Sequence, residues 1–450
     1  MAIFLKRPKG LDSLPEPVVF EDADVPGLAL SPRLFSAESG DISPQALDEI
    51  ADAHGPDVGF SRFGKLTVLL SSPEFVLETL SEKAHLFAKG EEERALAAVI
   101  GWGLLVQEGE NHKSTQRRLN PAMRGEILDR YLGAIDHTFG VFTKELRNGP
   151  QSLLDFCREA TQSVAETSLF GCDQPTQDFR YHRAVLQTNK FVMSDMAPGK
   201  NSQATLGLFL EAKEIMHQHV RGLLSQWEGR QDAPPCFMDY IHASIGGARE
   251  EEPTNFDQAS MFLQAATETT AALISWTLIH LSGRLDLWDL LHAEADQLGE
   301  APLTHDLLKA LPFHQAVIKE SLRIAPPVWM FSRVATEDVR IGPYLIPRGT
   351  RLLLSPWVTQ RSEGCWDHSR EFVPQRWLTS NDSGHKGCFF PFGLGRRICI
   401  GESYGRMTAV AMLVHLTRNH GVASVNPADT ATTYSHLLRI PRPDLTLELV

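Results

Sequence analysis

Long hydrophobic runs are scarce in this chain, and that scarcity excludes whole classes of protein. The longest mostly apolar stretch, Ala271 to Leu281, is interrupted by Ser275, Thr277 and His280 and has the length of a buried core helix, short of a membrane span. The N-terminal run Met1 to Gly10 holds too few apolar residues for a signal peptide or an anchor. A basic excess is also lacking: 43 Lys and Arg stand against 56 Asp and Glu, a net charge of −13, which argues against nucleic acid as a partner. No Gly/Ser-rich linker, repeat or low-complexity tract divides the 450 residues, so one domain over 1–450 is expected, with an extended segment and a first helix within 1–50. The Pro- and charge-rich patches at 229–236 and 245–255 read as surface loops. Cysteine spacing is equally uninformative. Among Cys157, Cys172, Cys236, Cys365, Cys388 and Cys399 there is no C-x-x-C pair and no C-x-x-C-H motif, so neither a zinc site nor covalently attached haem is indicated. All but Cys399 read as plain thiols. These absences leave a soluble, cytoplasmic, acidic globular protein without a membrane anchor.

What is present is concentrated between Phe392 and Gly401, which reads Phe-Gly-Leu-Gly-Arg-Arg-Ile-Cys-Ile-Gly. A thiolate on haem iron must be kept from oxidation and over-protonation, so backbone amides have to come close to the sulfur, and glycines permit that approach. Gly395 and Gly401 flank Cys399 for this purpose, while Phe392 packs as a lid on the loop. Arg397 offers a fixed fork of donors to a propionate, which lysine does not match. A helix starting just after Cys399 would add its positive end and lower the thiol pKa. On pattern alone, a buried structural cysteine on a Gly-rich turn is the competing reading. The run resembles the Phe-x-x-Gly-x-Arg-x-Cys-x-Gly haem loop of the cytochrome P-450 family of haem-thiolate monooxygenases.

Two further segments fit that resemblance. Leu311 to Arg323 has helical spacing, with Pro312 suited to the first turn and Pro326-Pro327 ending it. Glu320 and Arg323 stand three apart on one face, a spacing that more often marks a surface ion pair. The resemblance implies instead the family's Glu-x-x-Arg motif, completed by Arg376 in Phe372-Val-Pro-Gln-Arg-Trp as a buried charge network that serves folding and haem retention. The other segment lies in a helix expected from about Asn255 to Gly283, opened by a capping box of Thr254 and Asp257. Its middle, Ala265-Ala266-Thr267-Glu268-Thr269-Thr270, puts three threonines and an acid into an apolar helix, a local conflict of the kind that marks function. Hydroxyls bonding back to carbonyls four residues earlier would explain the threonines without function. The resemblance implies the oxygen-activation segment, with Glu268 and Thr269 as an acid and an alcohol that deliver protons, and with Ala265 and Ala266 beside the haem. Ala266 stands where the family most often has glycine.

By the same resemblance, His112 and Arg333 bind haem propionates. Arg117 follows His112 by five residues instead of the family's four, and a solvated basic face explains it equally well. Trp102, Ala265, Val328, Trp329, Met330 and Leu437 are the pocket candidates, and each would serve equally well as core. Lys113, Arg117, Arg118, Lys386 and Arg396 are candidates for docking an acidic electron carrier. The resemblance runs from about Val58 to about Pro441. It implies a mainly α fold with small β-sheets, the cytochrome P-450 fold, holding haem b (iron protoporphyrin IX). The implied activity is insertion of one atom of O2, as hydroxylation or epoxidation, into a lipophilic small molecule of secondary metabolism, a terpenoid first. Fatty acids and polyketides follow, and oxidative coupling, desaturation or rearrangement on the same fold is the alternative. Electrons are expected from a separate ferredoxin with its reductase, or from a flavodoxin, delivered to a monomer.

Overall fold

Thr254 starts the longest helix of the molecule. The Thr254 hydroxyl accepts the Asp257 amide at 3.1 Å while the Asp257 carboxylate accepts the Thr254 amide at 2.9 Å, a reciprocal cap that fixes where the helix begins. From this cap the helix Asn255–Leu281 runs 27 residues, about 40 Å at the α-helical rise. It is apolar nearly all round and is accordingly buried along most of its length. The helices Leu153–Ser168, Gln203–Glu228, Pro312–Ile324 and Glu402–Asn419 surround it. The last of these is itself buried and packs on Glu126–Lys144 and Leu285–Leu298. Helix Arg180–Asp195 lies against Gln203–Glu228 above them.

In this computed structural model the described residues are 16, 18, 19, 25, 28–35, 42–62, 64–144, 149–176, 180–195, 203–230, 234–245, 254–299, 301–379, 386–421, 423–426, 432–435 and 438–449. Much of the two expected surface loops, at 231–233 and 246–253, lies outside them. Beside the helices stands a six-stranded mixed sheet in the order Ala29–Phe35, Asp57–Arg62, Lys65–Leu70, Arg351–Leu354, Phe331–Ala335, Phe87–Lys89. Its middle strands are apolar on both faces and covered on both, which accounts for continuous burial where a one-sided sheet would alternate. Three smaller sheets are present among the described residues. The helix Pro44–His54, capped by Ser43, packs under the sheet. The architecture is mainly α with small β-sheets, as the resemblance implied.

Two cysteines that read as plain thiols are joined. Cys365 and Cys388 form a disulfide with Cα atoms 5.6 Å apart, across 23 residues. The intervening chain folds back through the turn Pro374–Leu378, which no spacing rule anticipates.

Glu320 has no exposure, and every donor around it is fixed. Its Oε1 accepts Arg323 Nη2 at 2.7 Å, the Val373 amide at 2.9 Å and Arg376 Nε at 3.1 Å. Its Oε2 accepts Trp377 Nε1 at 2.8 Å and Arg323 Nε at 2.9 Å. The arginines then spend their remaining donors on the carbonyls of Gln360, Asp367, His368, Ser369 and Glu371. Glu320→Ala strands two buried guanidinium groups and is expected to cost about 3–5 kcal/mol. Urea unfolding of the purified protein measures this, and a loss below about 1 kcal/mol, the worth of an exposed pair, would place the network at the surface in energetic terms.

Candidate functional site

Cys399 is held by a loop that closes on itself. Its amide donates to the Phe392 carbonyl at 2.9 Å, and the Ile398 amide donates to the Gly395 carbonyl at 3.2 Å. The Gly401 amide donates to the Cys399 sulfur. Cys399 is exposed, yet the protein packed around it desolvates its sulfur. Burial raises its pKa above that of a free thiol, the Gly401 amide opposes the rise, and Glu402 adds to it. The helix expected just after Cys399 is present as Glu402–Asn419, but desolvation outweighs what its start contributes through the Gly401 amide. Gly395 also departs from expectation. It has a φ of +68°, and a Cβ there would lie 2.2 Å from the Leu80 carbonyl oxygen, so its close approach is to the turn at Leu80–Ser81. Phe392 packs, partly buried, on the main core.

Beside the loop the sheet gathers positive charge. The strand Phe87–Lys89 pairs antiparallel with Phe331–Ala335 and sets Lys89 opposite Arg333. Lys89 Nζ donates to the carbonyls of Leu105 at 2.5 Å, Gln107 at 3.0 Å and Leu104 at 3.3 Å. Burial pushes Lys89 down to about 7, Glu108 resisting and Arg397 and Arg333 reinforcing. Arg333 falls to about 10, again through burial, with Glu93 opposing. His112 is driven to about 3 by burial and then by Lys89, Arg397 and Arg333, which leaves it neutral. Arg397 pairs with Glu108 and donates to the Phe87 carbonyl at 3.3 Å, while its Nη1 is buried without a partner. The site thus carries more buried positive charge than its acids balance, and one guanidinium donor is unused. A pair of carboxylates would fit there. Lys89 and Glu108 were not foreseen, because nothing local in either segment announces a site.

The central helix separates an acid and an alcohol that are neighbours in sequence. Ala265, Ala266 and Thr269 keep partial exposure, while Met261 to Leu263 and Thr270 to Leu278 are buried. Thr269 Oγ1 donates to the Ala265 carbonyl at 2.7 Å, the back-bonding that the composition allowed. Glu268 is sealed elsewhere. It accepts Arg158 Nη2 at 2.8 Å and meets His182 Nδ1 at 2.9 Å, all three side chains being buried. Burial alone would raise its pKa, but Arg158 and His182 outweigh that and hold Glu268 at about 2. Arg158 and His182 were missed as well, since they come from two other helices.

Comparison with known proteins decides the family. The family model for cytochrome P450 matches residues 27–447. The chain belongs to the cytochrome P450 family. It is 26% identical over 378 residues to cyclooctat-9-en-7-ol 5-monooxygenase of Streptomyces melanosporofaciens, covering 80% of this chain and 81% of that one. Cytochrome P450 4V2 of Homo sapiens is 24% identical over 395 residues, covering 78% and 74%. Among solved structures, CYP175A1 from Thermus thermophillus superposes with a TM-score of 0.73 at 23% identity over 90% of this chain and 94% of that one. The protein is thus a P450 monooxygenase with haem as cofactor. The residues present fit that group: an accessible thiol, and a buried cation cluster with an unused donor at Arg397.

The remaining candidates of this P450 divide. Trp329 and Met330 are buried with Leu47, Ile50, Phe60 and Trp357, so they belong to the core under the sheet and not to a pocket. Val328 keeps surface and bridges to Leu438, and Leu437 lies outside the described residues. Trp102 is half-buried, on a turn pressed so closely to the central helix that a Cβ at Gly101 or Gly103 would strike Asp257 or Met261. Arg118 is exposed and bonds to the Ser244 carbonyl. Arg117 instead lines an open cleft of about 640 Å³ with Lys113, Gln116, Arg124 and Arg396, and Gln116 Nε2 donates to the Ile398 carbonyl at 3.4 Å. Among the described residues, no helix is long and apolar enough to cross a membrane.

Because the folded pKa of Glu268 lies at about 2, below its ordinary 4.5, its ion pair contributes full stability above pH 4.5 and loses it as the pH falls toward 2. Glu268→Gln is expected to flatten that acid limb. Thermal midpoints measured from pH 2 to 7 test this, and parallel curves for the two proteins would remove Glu268 from the linkage.

Proposed function

We propose that this P450 inserts one oxygen atom from O2 into a lipophilic small molecule, as hydroxylation or epoxidation, with a terpenoid as the substrate class. The observation that carries the site assignment is Cys399, an accessible thiol that accepts the Gly401 amide, beside a buried cation cluster. Cys399 would ligate the haem iron as a thiolate, and Arg397, Arg333, His112 and Lys89 would hold the propionates. Bound haem supplies the O2 chemistry, which no side chain here can perform. Thr269 holds a proton at Oγ1 on the accessible face of the central helix. Because that hydroxyl donates to Ala265, its oxygen is left to accept from water. Glu268 is ionised and paired, so a proton can enter through it only when Arg158 or His182 lets go.

The terpenoid assignment is supported by the Streptomyces relative, whose name gives an unsaturated alcohol and a monooxygenase activity. Electrons are supplied by a separate carrier, a ferredoxin or a flavodoxin, docked at the cleft of Lys113, Arg117, Arg124 and Arg396. Fold does not set the substrate, so the test is direct. Cys399→Ala is expected to lose the thiolate-type spectrum of the reduced carbon monoxide complex, and a retained spectrum would reassign the ligand. Titration of the ferric protein with sesquiterpenes, diterpenes, fatty acids and macrolides is expected to shift its spin state with a terpenoid. A shift confined to another class would replace the substrate, and a product lacking added oxygen would favour coupling or desaturation. Arg396→Glu is expected to raise KM for a ferredoxin about tenfold at low salt, less at high salt. An unchanged KM would move the docking face elsewhere.

A further inference from the structure

We propose that the Cys365–Cys388 disulfide is a redox modification site, at which a dithiol protein reduces the bond and thereby loosens the loop that carries Cys399. Its consequence for the cofactor rests on Cys399 as the ligand; its chemistry does not. The bond joins the two halves of the support behind that loop. Cys388 lies on the chain leading into that loop, eleven residues before Cys399, and has no exposure. Cys365 lies on the turn whose next carbonyls, Asp367, His368 and Ser369, accept from Arg376 and Arg323. Between them Trp366 donates to the Cys388 carbonyl at 3.4 Å and lies under both guanidinium groups, 5.5 Å from Arg323 and 5.8 Å from Arg376. The disulfide closes residues 365–388, which carry Arg376, into a ring and ties the turn beside the charge network to the chain just before the Cys399 loop.

The two sulfurs differ in access. Cys365 keeps partial exposure, and Glu363 and Gly364 beside it are exposed, so attack can come at its sulfur and not at that of Cys388. An incoming thiolate bonds to Cys365 Sγ, the S–S bond breaks, and Cys388 leaves as a thiolate that takes up a proton. The second thiol of the reductant then displaces Cys365 as a thiol. The reductant departs as a disulfide, and two electrons and two protons have passed to this chain. With the ring open, the loop is tied to the network through the Phe390 amide on Gln360 Oε1, at 2.8 Å, without the covalent link.

The experiment uses the haem-loaded protein, first with dithiothreitol and then with a thioredoxin and its reductase, under non-denaturing conditions. Alkylation followed by mass spectrometry reads the two cysteines, and transfer of haem to excess apomyoglobin reads the loop. Labelling at both Cys365 and Cys388 is expected, with haem transfer faster by about tenfold, part of what closing a loop of this length contributes. The double variant C365S/C388S should transfer haem at the reduced rate and ignore the dithiol; if it fails to fold, the wild-type measurements decide alone. Absence of labelling by either reductant, or labelling with an unchanged transfer rate, overturns the proposal. A missing thiolate spectrum in the oxidised protein would instead fault the ligand assignment, and the labelling result would stand apart from it.

Discussion

A single carboxylate, that of Glu320, has to stay charged inside a core, and much of the surrounding chain is arranged to make that possible. An isolated buried anion is too costly to keep, so Glu320 exists only because two guanidinium groups, an indole and a backbone amide converge on it. Each arginine brings its own obligations, since five donors in a fixed fork must all be met. They are met by backbone carbonyls from 360 to 371, which forces that segment to wrap the end of the helix Pro312–Ile324. Gln360 extends the chain of consequence. Its Nε2 satisfies the terminal carbonyls of Leu322 and Arg323, and its Oε1 takes the Phe390 amide, so the end of the helix is linked to the approach of the Cys399 loop. The Cys399 loop is thus positioned in part by a network centred on an acid that lies outside it.

The same requirement explains the other buried charges and why they differ. Glu268 is satisfied completely, by one guanidinium and one imidazole, and is held ionised. The cluster of Lys89, Arg333, Arg397 and His112 is satisfied incompletely, with a depressed lysine, a neutral histidine and an unused guanidinium donor. Protein interiors tolerate the first arrangement for its own sake, whereas the second makes sense as a receptor for anionic groups.

What could be read from the sequence was what is local in it. The Cys399 loop, the cap of Thr254 and Asp257, the start at Pro312 and the pair Glu320 and Arg323 each lie within ten residues of chain, where backbone geometry alone brings groups together. The rest depends on register and packing between distant segments. Lys89 meets Arg333 only through strand pairing, Arg158 reaches Glu268 across 110 residues, and Cys365 reaches Cys388 around a folded turn. Apolar residues carry still less information about role. Val328, Trp329 and Met330 are consecutive and all apolar, yet two are core and one keeps surface, because the strand beginning at Phe331 decides which way each faces.

The separation of Glu268 from Thr269 follows from helical geometry and has a chemical implication. Adjacent residues on a helix diverge by about 100°, so an acid next to an alcohol cannot share its face. Thr269 is placed with Ala265 on the accessible side, and its hydroxyl is oriented by the Ala265 carbonyl. Glu268 is placed against Leu153–Ser168 and Arg180–Asp195, where its partners are. Any route by which the acid feeds the alcohol therefore requires a rotamer change at Glu268, and that change exposes the charge of Arg158 inside the core. The helix Arg180–Asp195, which packs against Gln203–Glu228, meets Glu268 through the single side chain of His182, so its hold on the acid is one hydrogen bond.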